Sequence, residues 1–355
     1  MPAELTSSTV VERLQRVAVA IVRGRAWRAL IAGALGMLAG WDTHRRLAAH
    51  PELNALDFTY PWRAAGHLIA GRNPYEHMPN TAYTQGGPFL YPLAAALVAV
   101  PVARLPVATA GAVFVGVSVA LMAFALMGGG LWRLGVVLSA PFFFSIWNVQ
   151  WGPLLIAGAL IPSLGWLAVT KPNLGLIAFA HSPRWSAVVG AIAVLALSFV
   201  VLPDWAAGWL EHIRRQPSPR PPALLWPLGA VGLVGLLRWR TPAGRTLVAM
   251  TLVPTSAWFY DQIFLWLVAK NWKQSLALSV CSWVTYVAVL AQAPIDLTNP
   301  REARVVQAIL AVGLYLPAAI IVWRQPNVGP VPRWLERPVR VFPRWLQGRA
   351  DPPTP

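Results

Sequence analysis

Apolar residues recur along the chain in runs of roughly 15 to 22, separated by short segments rich in polar residues, proline or glycine. An α-helix of about this length crosses the hydrocarbon core of a bilayer, whereas membrane barrels use shorter segments in which apolar and polar residues alternate. The pattern therefore predicts an all-α, polytopic integral membrane protein. Counting the shortest runs gives about 11 to 12 transmembrane helices.

Two of the predicted spans are interrupted by proline and glycine, at 148–153 and at 170–175. Backbone that leaves the helical conformation at membrane depth has to be buried in protein or to line a cavity, because lipid offers no hydrogen-bond partners. The sequence therefore predicts that these two breaks face an internal cavity.

Composition agrees with a membrane location. Hydrophobic residues make up 56% of the 355 residues and charged residues only 12%, while the formal net charge is +16. The arginines lie mainly at the chain ends and between apolar runs, so we interpret them as topology signals and contacts to lipid headgroups, and expect no nucleic-acid partner. A single cysteine, Cys281, excludes an intrachain disulfide.

The arginines before the first predicted span, Ala29–Trp41, indicate by the positive-inside rule that the N-terminus is cytoplasmic. The next segment, 42–88, is then an extracytoplasmic outer loop. We predict one membrane-embedded domain over 1–323, followed by a basic, proline-rich cytoplasmic tail over 324–355. Within the outer loop, Tyr60–Ala70 has the pattern of a short interfacial helix that ends at Gly71, and Trp205 and Trp209 indicate a second such helix.

Ionisable residues close to predicted spans are candidates for chemistry, because burying a charge near a membrane is costly. Asp57 is either an N-terminal cap of the interfacial helix or a general base. Lys171 either extends its ammonium to lipid headgroups or binds a phosphate. Asp261 either stabilises a tight turn at the outer face or contributes to the site.

Amides in a broken helix have two comparable roles. Asn148 and Gln150 either satisfy freed backbone groups or bind ligand hydroxyls. The four histidines of the outer loop have no compact metal-ligand spacing, so no metal site is predicted there. Phosphate-binding glycine loops and serine-hydrolase motifs are absent from the sequence, which disfavours a nucleotide-linked donor.

A set of short motifs resembles the first outer loop and following spans of glycosyltransferase family 87. They occur in the family's order as Asp57-Phe58-Thr59-Tyr60, Arg63-Ala64-Ala65, Asn73-Pro74-Tyr75, Pro88-Phe89-Leu90-Tyr91-Pro92, Asn148-Val149-Gln150 and Lys171-Pro172. Together they cover Ala55 to about Leu202, and the resemblance fades beyond that point. Members of this family are C-type membrane mannosyltransferases that use polyprenol-phosphate-mannose.

The resemblance implies an inverting transfer of a hexose, mannose in the family, from a polyprenyl-phosphate donor to a hydroxyl of a lipid or glycan acceptor. The base would be Asp57, and Lys171 and Arg63 would face the donor phosphate. The cavity residues would be Tyr60, Tyr75, Tyr91, Asn148, Gln150, Tyr260 and Asp261. No cofactor is expected, and the sequence leaves dependence on a divalent metal open. The expected location is the plasma (inner) membrane.

A second hypothesis, from a different functional class, is a transporter or lipid flippase. In that case Asp57, Lys171 and Asp261 would be binding or gating charges. The two hypotheses differ in where they need the charges. A transferase needs its carboxylate on the outer side beside a lipid-accessible cavity, and a carrier needs charges that are reached from both sides.

Overall fold

Regular structure in the computed structural model is helical throughout the residues it describes, which are 24–78, 87–215, 221–225, 227–256, 259–295, 299–330 and 347. The all-α prediction is confirmed for this part of the chain. The N-terminal arginines Arg13, Arg16 and Arg23, the proline-rich residues 216–220 and nearly all of the predicted tail lie outside the described residues.

The first half of the described chain contains nine α-helices. Their bounds are α1 Arg25–Ala49, α2 Thr59–Ile69, α3 Pro74–His77, α4 Leu93–Ala99, α5 Val107–Met127, α6 Ala140–Trp147, α7 Gly152–Leu160, α8 Pro172–His181 and α9 Trp185–Val201. The remaining described helices are α10 Trp205–Arg214, α11 Pro242–Leu252, α12 Trp272–Leu290, α13 Pro300–Leu310 and α14 Leu316–Trp323, the last two joined by a π-helical turn, Ala311–Tyr315.

Tighter 3-10 segments connect many of these helices. They are Pro51–Leu53, Leu56–Phe58, Val100–Val102, Leu131–Leu138, Pro162–Val169, Pro222–Leu224, Leu228–Arg238 and Tyr260–Val268. Several coincide with apolar runs that the sequence predicts to be helical spans. The described chain is therefore more fragmented than its hydropathy pattern alone suggests.

Three described helices are long and apolar enough to cross a membrane: Val107–Met127, Trp272–Leu290 and Arg301–Trp323. Two bent pairs raise this to five if each is one span. Ala140–Trp147 meets Gly152–Leu160 at 115°, and Trp185–Val201 meets Trp205–Arg214 at 99°. These helices are compatible with a membrane protein.

Glycine allows α1 and α5 to pack backbone against backbone. A Cβ atom added at Gly36 would lie 2.5 Å from the carbonyl oxygen of Gly116, and one at Gly40 would lie 3.0 Å from that of Ala112. Gly36 and Gly40 are four residues apart and therefore lie on one face of α1. This is the small-residue packing that membrane helices use in place of a hydrophobic driving force.

The helix predicted over Tyr60–Ala70 is observed as α2. It ends as expected at Gly71, whose φ of 69° is accessible to glycine at low cost, and Arg72 N–H bonds back to the His67 carbonyl at 2.9 Å. Its buried residues are Thr59, Tyr60, Pro61, Ala64 and Ala65. Trp62 and Leu68 are partly buried and also pack against the core.

Candidate functional site

Four polar side chains from four separate segments meet inside the molecule. The Gln150 side-chain N–H donates to Oδ2 of Asp57, and Nζ of Lys171 donates to Oε1 of Gln150 at 2.8 Å. The same Nζ lies 3.8 Å from Oδ1 of Asp261. These residues, Asp57, Gln150, Lys171 and Asp261, form a connected set that we call the carboxyl–lysine cluster. All four are candidates from the sequence.

The partners fix the orientation of the Gln150 amide. An ammonium only donates hydrogen bonds, so the amide oxygen has to face Lys171 and the amide nitrogen has to face Asp57. Oδ2 of Asp57 consequently acts as an acceptor. Gln150 thus connects a carboxyl and an ammonium that do not contact each other directly.

The break between α6 and α7 directs Gln150 into the cluster. Val149 has a φ of 51°, and the Gln150 N–H bonds back to the Ser145 carbonyl at 2.8 Å. The Asn148 side chain donates to the Phe144 carbonyl at 3.0 Å, an oxygen that also accepts the Asn148 N–H at 3.0 Å. Asn148 therefore bonds to the backbone of the preceding helical turn, and Gln150 bonds to side chains of the cluster.

Backbone strain concentrates around the cluster. Non-glycine residues with positive φ in the described chain are Asn54 (51°), Leu56 (46°), Val149 (51°) and Phe259 (58°). Leu56 precedes Asp57, Val149 precedes Gln150, and Phe259 lies two residues before Asp261. Positive φ is unfavourable for residues with a Cβ atom, most of all for a β-branched one such as Val149, and such strain clusters at functional sites.

Lys171 occupies the N-terminal end of α8, directly before Pro172. Its carbonyl accepts the Gly175 N–H at 2.8 Å, and its ammonium lies 5.3 Å from the centre of the Tyr260 ring. Asn173, one residue beyond the proline, donates to the Pro254 carbonyl at 3.0 Å. These contacts join the start of α8 to the segment that carries Asp261.

Asp261 is buried, and it has contacts both with its local turn and with other candidate residues, the two roles that the sequence left open. It is only 1% exposed and belongs to the 3-10 segment Tyr260–Val268. Its Oδ2 accepts the Ser256 N–H at 2.7 Å, so it does stabilise the local loop, and Gln262 donates to the Ser256 carbonyl at 3.0 Å. The same carboxyl therefore serves both the loop and the cluster.

The N-cap residue of α2 is Phe58, not Asp57, and the Phe58 side chain makes no capping hydrogen bond. Asp57 is half-buried, and the Lys171 side chain is 14% exposed, whereas Gln150 and Asp261 are almost completely buried. Asp57 and Lys171 therefore form the accessible side of the cluster. A ligand would reach these two residues first.

The cluster contains two carboxyls and one ammonium. Burial raises the pKa of Asp57, which the charge of Lys171 and the Gln150 hydrogen bond partly oppose. Asp261 lies 3.8 Å from the same ammonium and accepts the Ser256 N–H. With both carboxyls ionised, the cluster carries one uncompensated negative charge, so it favours a bound proton.

Aromatic side chains pack as a wall against Phe58, the residue that follows Asp57. The Phe58 and Phe114 rings stack with centroids 4.1 Å apart, and Trp151 packs edge-on to Phe114 at 5.0 Å. Tyr91 lies 6.2 Å from Trp151, and the Tyr75 hydroxyl donates to the Tyr91 carbonyl at 2.8 Å. Tyr75 and Tyr91 thus belong to this wall, whose Trp151 was not a candidate from the sequence.

The other predicted residues differ in their placement. Tyr60 is 9% exposed on α2, and Tyr260 packs against the Lys171 ammonium. No hydrogen bond or ion pair joins Arg63 to the cluster in the part of the chain that is described; its charge acts on His67 instead. Among the same residues, no three His, Cys, Asp or Glu side chains are grouped in a way that could hold a metal ion.

Comparisons with protein-family models, with curated proteins and with solved structures give no match to this chain. The resemblance to glycosyltransferase family 87 therefore depends on the motifs quoted above. The geometry of the carboxyl–lysine cluster is a separate observation, and it stands whether or not that resemblance holds.

Proposed function

We propose that this protein is a polytopic membrane glycosyltransferase that moves a hexose, mannose, from a polyprenyl-phosphate donor to a hydroxyl of a lipid or glycan acceptor. The observation that supports it best is the Gln150 bridge between Asp57 and Lys171. It holds a proton acceptor and a cation at fixed positions on the accessible side of one cluster. Transfer from a phosphate leaving group needs these two groups.

The proposed reaction is a single inverting displacement. The acceptor hydroxyl oxygen attacks the anomeric carbon and loses its proton to the Asp57 carboxylate. The bond between the anomeric carbon and the phosphate oxygen breaks, and the polyprenyl phosphate leaves with the bonding electron pair. Lys171 faces the charge that develops on that phosphate.

The raised pKa of Asp57 fits a general base. A carboxylate with an ordinary pKa is a weak base at neutral pH, and burial brings its proton affinity closer to the working range. Gln150 donates to the carboxylate and so keeps Oδ2 oriented. Asp261, behind Lys171, holds the ammonium within the cluster.

The proposed architecture is a C-type glycosyltransferase-like domain over 1–323, with about 11 to 12 spans and interfacial helices in its outer loops. Short broken helices and 3-10 segments would then complete spans beside the three to five helices long enough to cross alone. We place the protein in the plasma membrane, with both termini cytoplasmic and Asp57 on the extracytoplasmic side. Its partners are the lipid-linked donor, the acceptor and membrane lipids.

The direct test compares the wild type with Asp57→Asn. Purified proteins receive radiolabelled polyprenyl-phosphate-mannose and candidate glycolipid acceptors, and labelled product is measured. We expect a loss of about 10²- to 10⁴-fold, because asparagine keeps the shape and can accept the Gln150 N–H but cannot take a proton. Asp204→Asn, at an exposed acidic residue, is the matched control. Equal transfer by the wild type and Asp57→Asn would overturn the proposed base.

A second candidate function is a transporter or lipid flippase. It is favoured by one observation, the pair of carboxyls that share a single ammonium, because buried ionisable groups in membrane proteins often mark proton or substrate pathways. Reconstituted vesicles distinguish the two. A carrier would move the labelled lipid across the bilayer unchanged, whereas a transferase would give a new glycosylated product.

A further inference from the structure

Arg46, in the last turn of α1, is buried without enough partners for its charge. It is 8% exposed, and its Nη2 donates to the Ile146 carbonyl at 3.3 Å. Its Nε and Nη1 have no hydrogen-bond partner among the described residues. Buried polar groups in folded proteins are nearly always bonded, so an unpartnered guanidinium calls for a ligand.

The guanidinium borders a cavity of about 360 Å³ between α1, α6 and α12. Phe142, Phe143, Trp147 and Trp283 form its aromatic wall, and the guanidinium lies 4.5 Å above the Trp147 ring. Phe143 and Trp147 are each 44% exposed, so the wall is reached from outside the protein. The cavity thus combines one charged end with a long apolar side.

Besides Arg46, the cavity is lined by Ser139, whose hydroxyl donates to the Val136 carbonyl at 2.6 Å, and by Asp42. Its carboxylate is 3.2 Å from Nη2 of Arg45, an exposed pair on the same helix. Asp42 thus has a cationic partner outside the cavity. The unpartnered guanidinium nitrogens beside the cavity are Nε and Nη1 of Arg46.

We propose that this cavity binds the phosphate group of a lipid, with Arg46 on the phosphate and the hydrocarbon chain along the aromatic wall. A guanidinium presents planar N–H donors that match phosphate oxygens, and its weak hydration suits a partly buried site. The aromatic wall is what selects a phosphate carried on an apolar chain. This site is separate from the carboxyl–lysine cluster, and the proposal does not depend on sugar transfer.

Native mass spectrometry of the full chain tests the proposal. Protein in detergent is supplied with equal amounts of phosphatidylglycerol and a neutral diacylglycerol, and retained lipid is counted. We expect wild type to retain phosphatidylglycerol, and Arg46→Gln to retain about tenfold less, as the loss of a charged hydrogen-bond donor predicts. Arg104→Gln, at an exposed arginine that does not line the cavity, is the matched control and should retain as much as wild type.

A second variant and a competition experiment test the two parts of the site, the aromatic wall and the phosphate contact. Phe143→Ala removes wall area but leaves the guanidinium, and should lower retention of long-chain lipid more than that of short-chain lipid. Inorganic phosphate should compete weakly with the lipid. Equal retention by wild type and Arg46→Gln would overturn the proposal, as would full displacement by inorganic phosphate, which would indicate a site for the free ion.

Discussion

Asp261 and Asp57 compete for the ammonium of Lys171, so the charge of one carboxyl affects the proton affinity of the other. Lys171 lies 3.8 Å from Asp261 and reaches Asp57 only through Gln150. Removing the Asp261 charge leaves Lys171 to stabilise the Asp57 carboxylate alone. The pKa of Asp57 should then fall.

This gives a prediction for Asp261→Asn. A general base works when deprotonated, so transfer by the wild type declines as pH falls through the raised pKa of Asp57. In the variant, the decline should occur at lower pH. Profiles of kcat/KM against pH measure the shift, with Asp204→Asn as control. An acid limb that stays in place, or moves to higher pH, would contradict the coupling.

Residue type and position were enough to select the members of the cluster but not their contacts. Asp57, Gln150, Lys171 and Asp261 stand out as polar residues at span ends or helix breaks. Their meeting depends on the packing of segments far apart in sequence, which no local pattern encodes. The same limit explains why the sequence left two roles open for both Asp57 and Asp261.

Buried arginine and tryptophan were harder to predict. Arg46 follows Arg45 in a charged helix end and has no sequence feature that marks it as buried. Trp205 was predicted on an interfacial helix and Trp151 lies near the end of a predicted span, where tryptophan is a common interfacial anchor, yet they are 4% and 0% exposed. Aromatic residues suit a membrane interface and a packed core equally well, so type alone does not separate these environments.

At the level of elements, the contact between α1 and α5 leads to a prediction for Gly36→Leu. The larger side chain meets the Gly116 backbone and forces the helices apart, so we expect destabilisation of about 1–3 kcal/mol. Thermal unfolding in detergent measures it. Gly33→Leu, three residues earlier on α1 where a Cβ meets nothing within 4 Å, is the control. Equal melting of the two variants would show that the close packing is not needed.

Helix breaks were predicted better than helix lengths. Proline and glycine at 148–153 and 170–175 locate the two breaks that carry Gln150 and Lys171, because both residue types interrupt the helical hydrogen-bond ladder. Runs such as 228–238 and 260–268 are nevertheless 3-10 segments. Hydropathy reports that a segment is apolar, and it does not report whether each turn closes with three or four residues.

For the whole molecule, the charge distribution predicts sidedness. Glu52 and Arg324 are exposed, and the proposed topology places them on opposite sides of the membrane. In a Cys281→Ser background, Glu52→Cys should react with a membrane-impermeant maleimide on intact cells. Arg324→Cys should react only after permeabilisation. The reverse pattern, or labelling of both in intact cells, would contradict the proposed orientation.

The order of the cluster residues along the chain determines when the site becomes complete during biosynthesis. Asp57, Gln150 and Lys171 are translated well before Asp261, so a nascent chain already holds the first three before the fourth is made. At that stage Lys171 has the Gln150 amide oxygen as a partner, whereas the Tyr260 ring and the Asp261 carboxylate are still to be made. The Ser256 N–H also lacks the carboxylate that accepts it in the folded protein. Since chains fold from the N-terminus as they are synthesised, docking of the last third would be the step that closes the site.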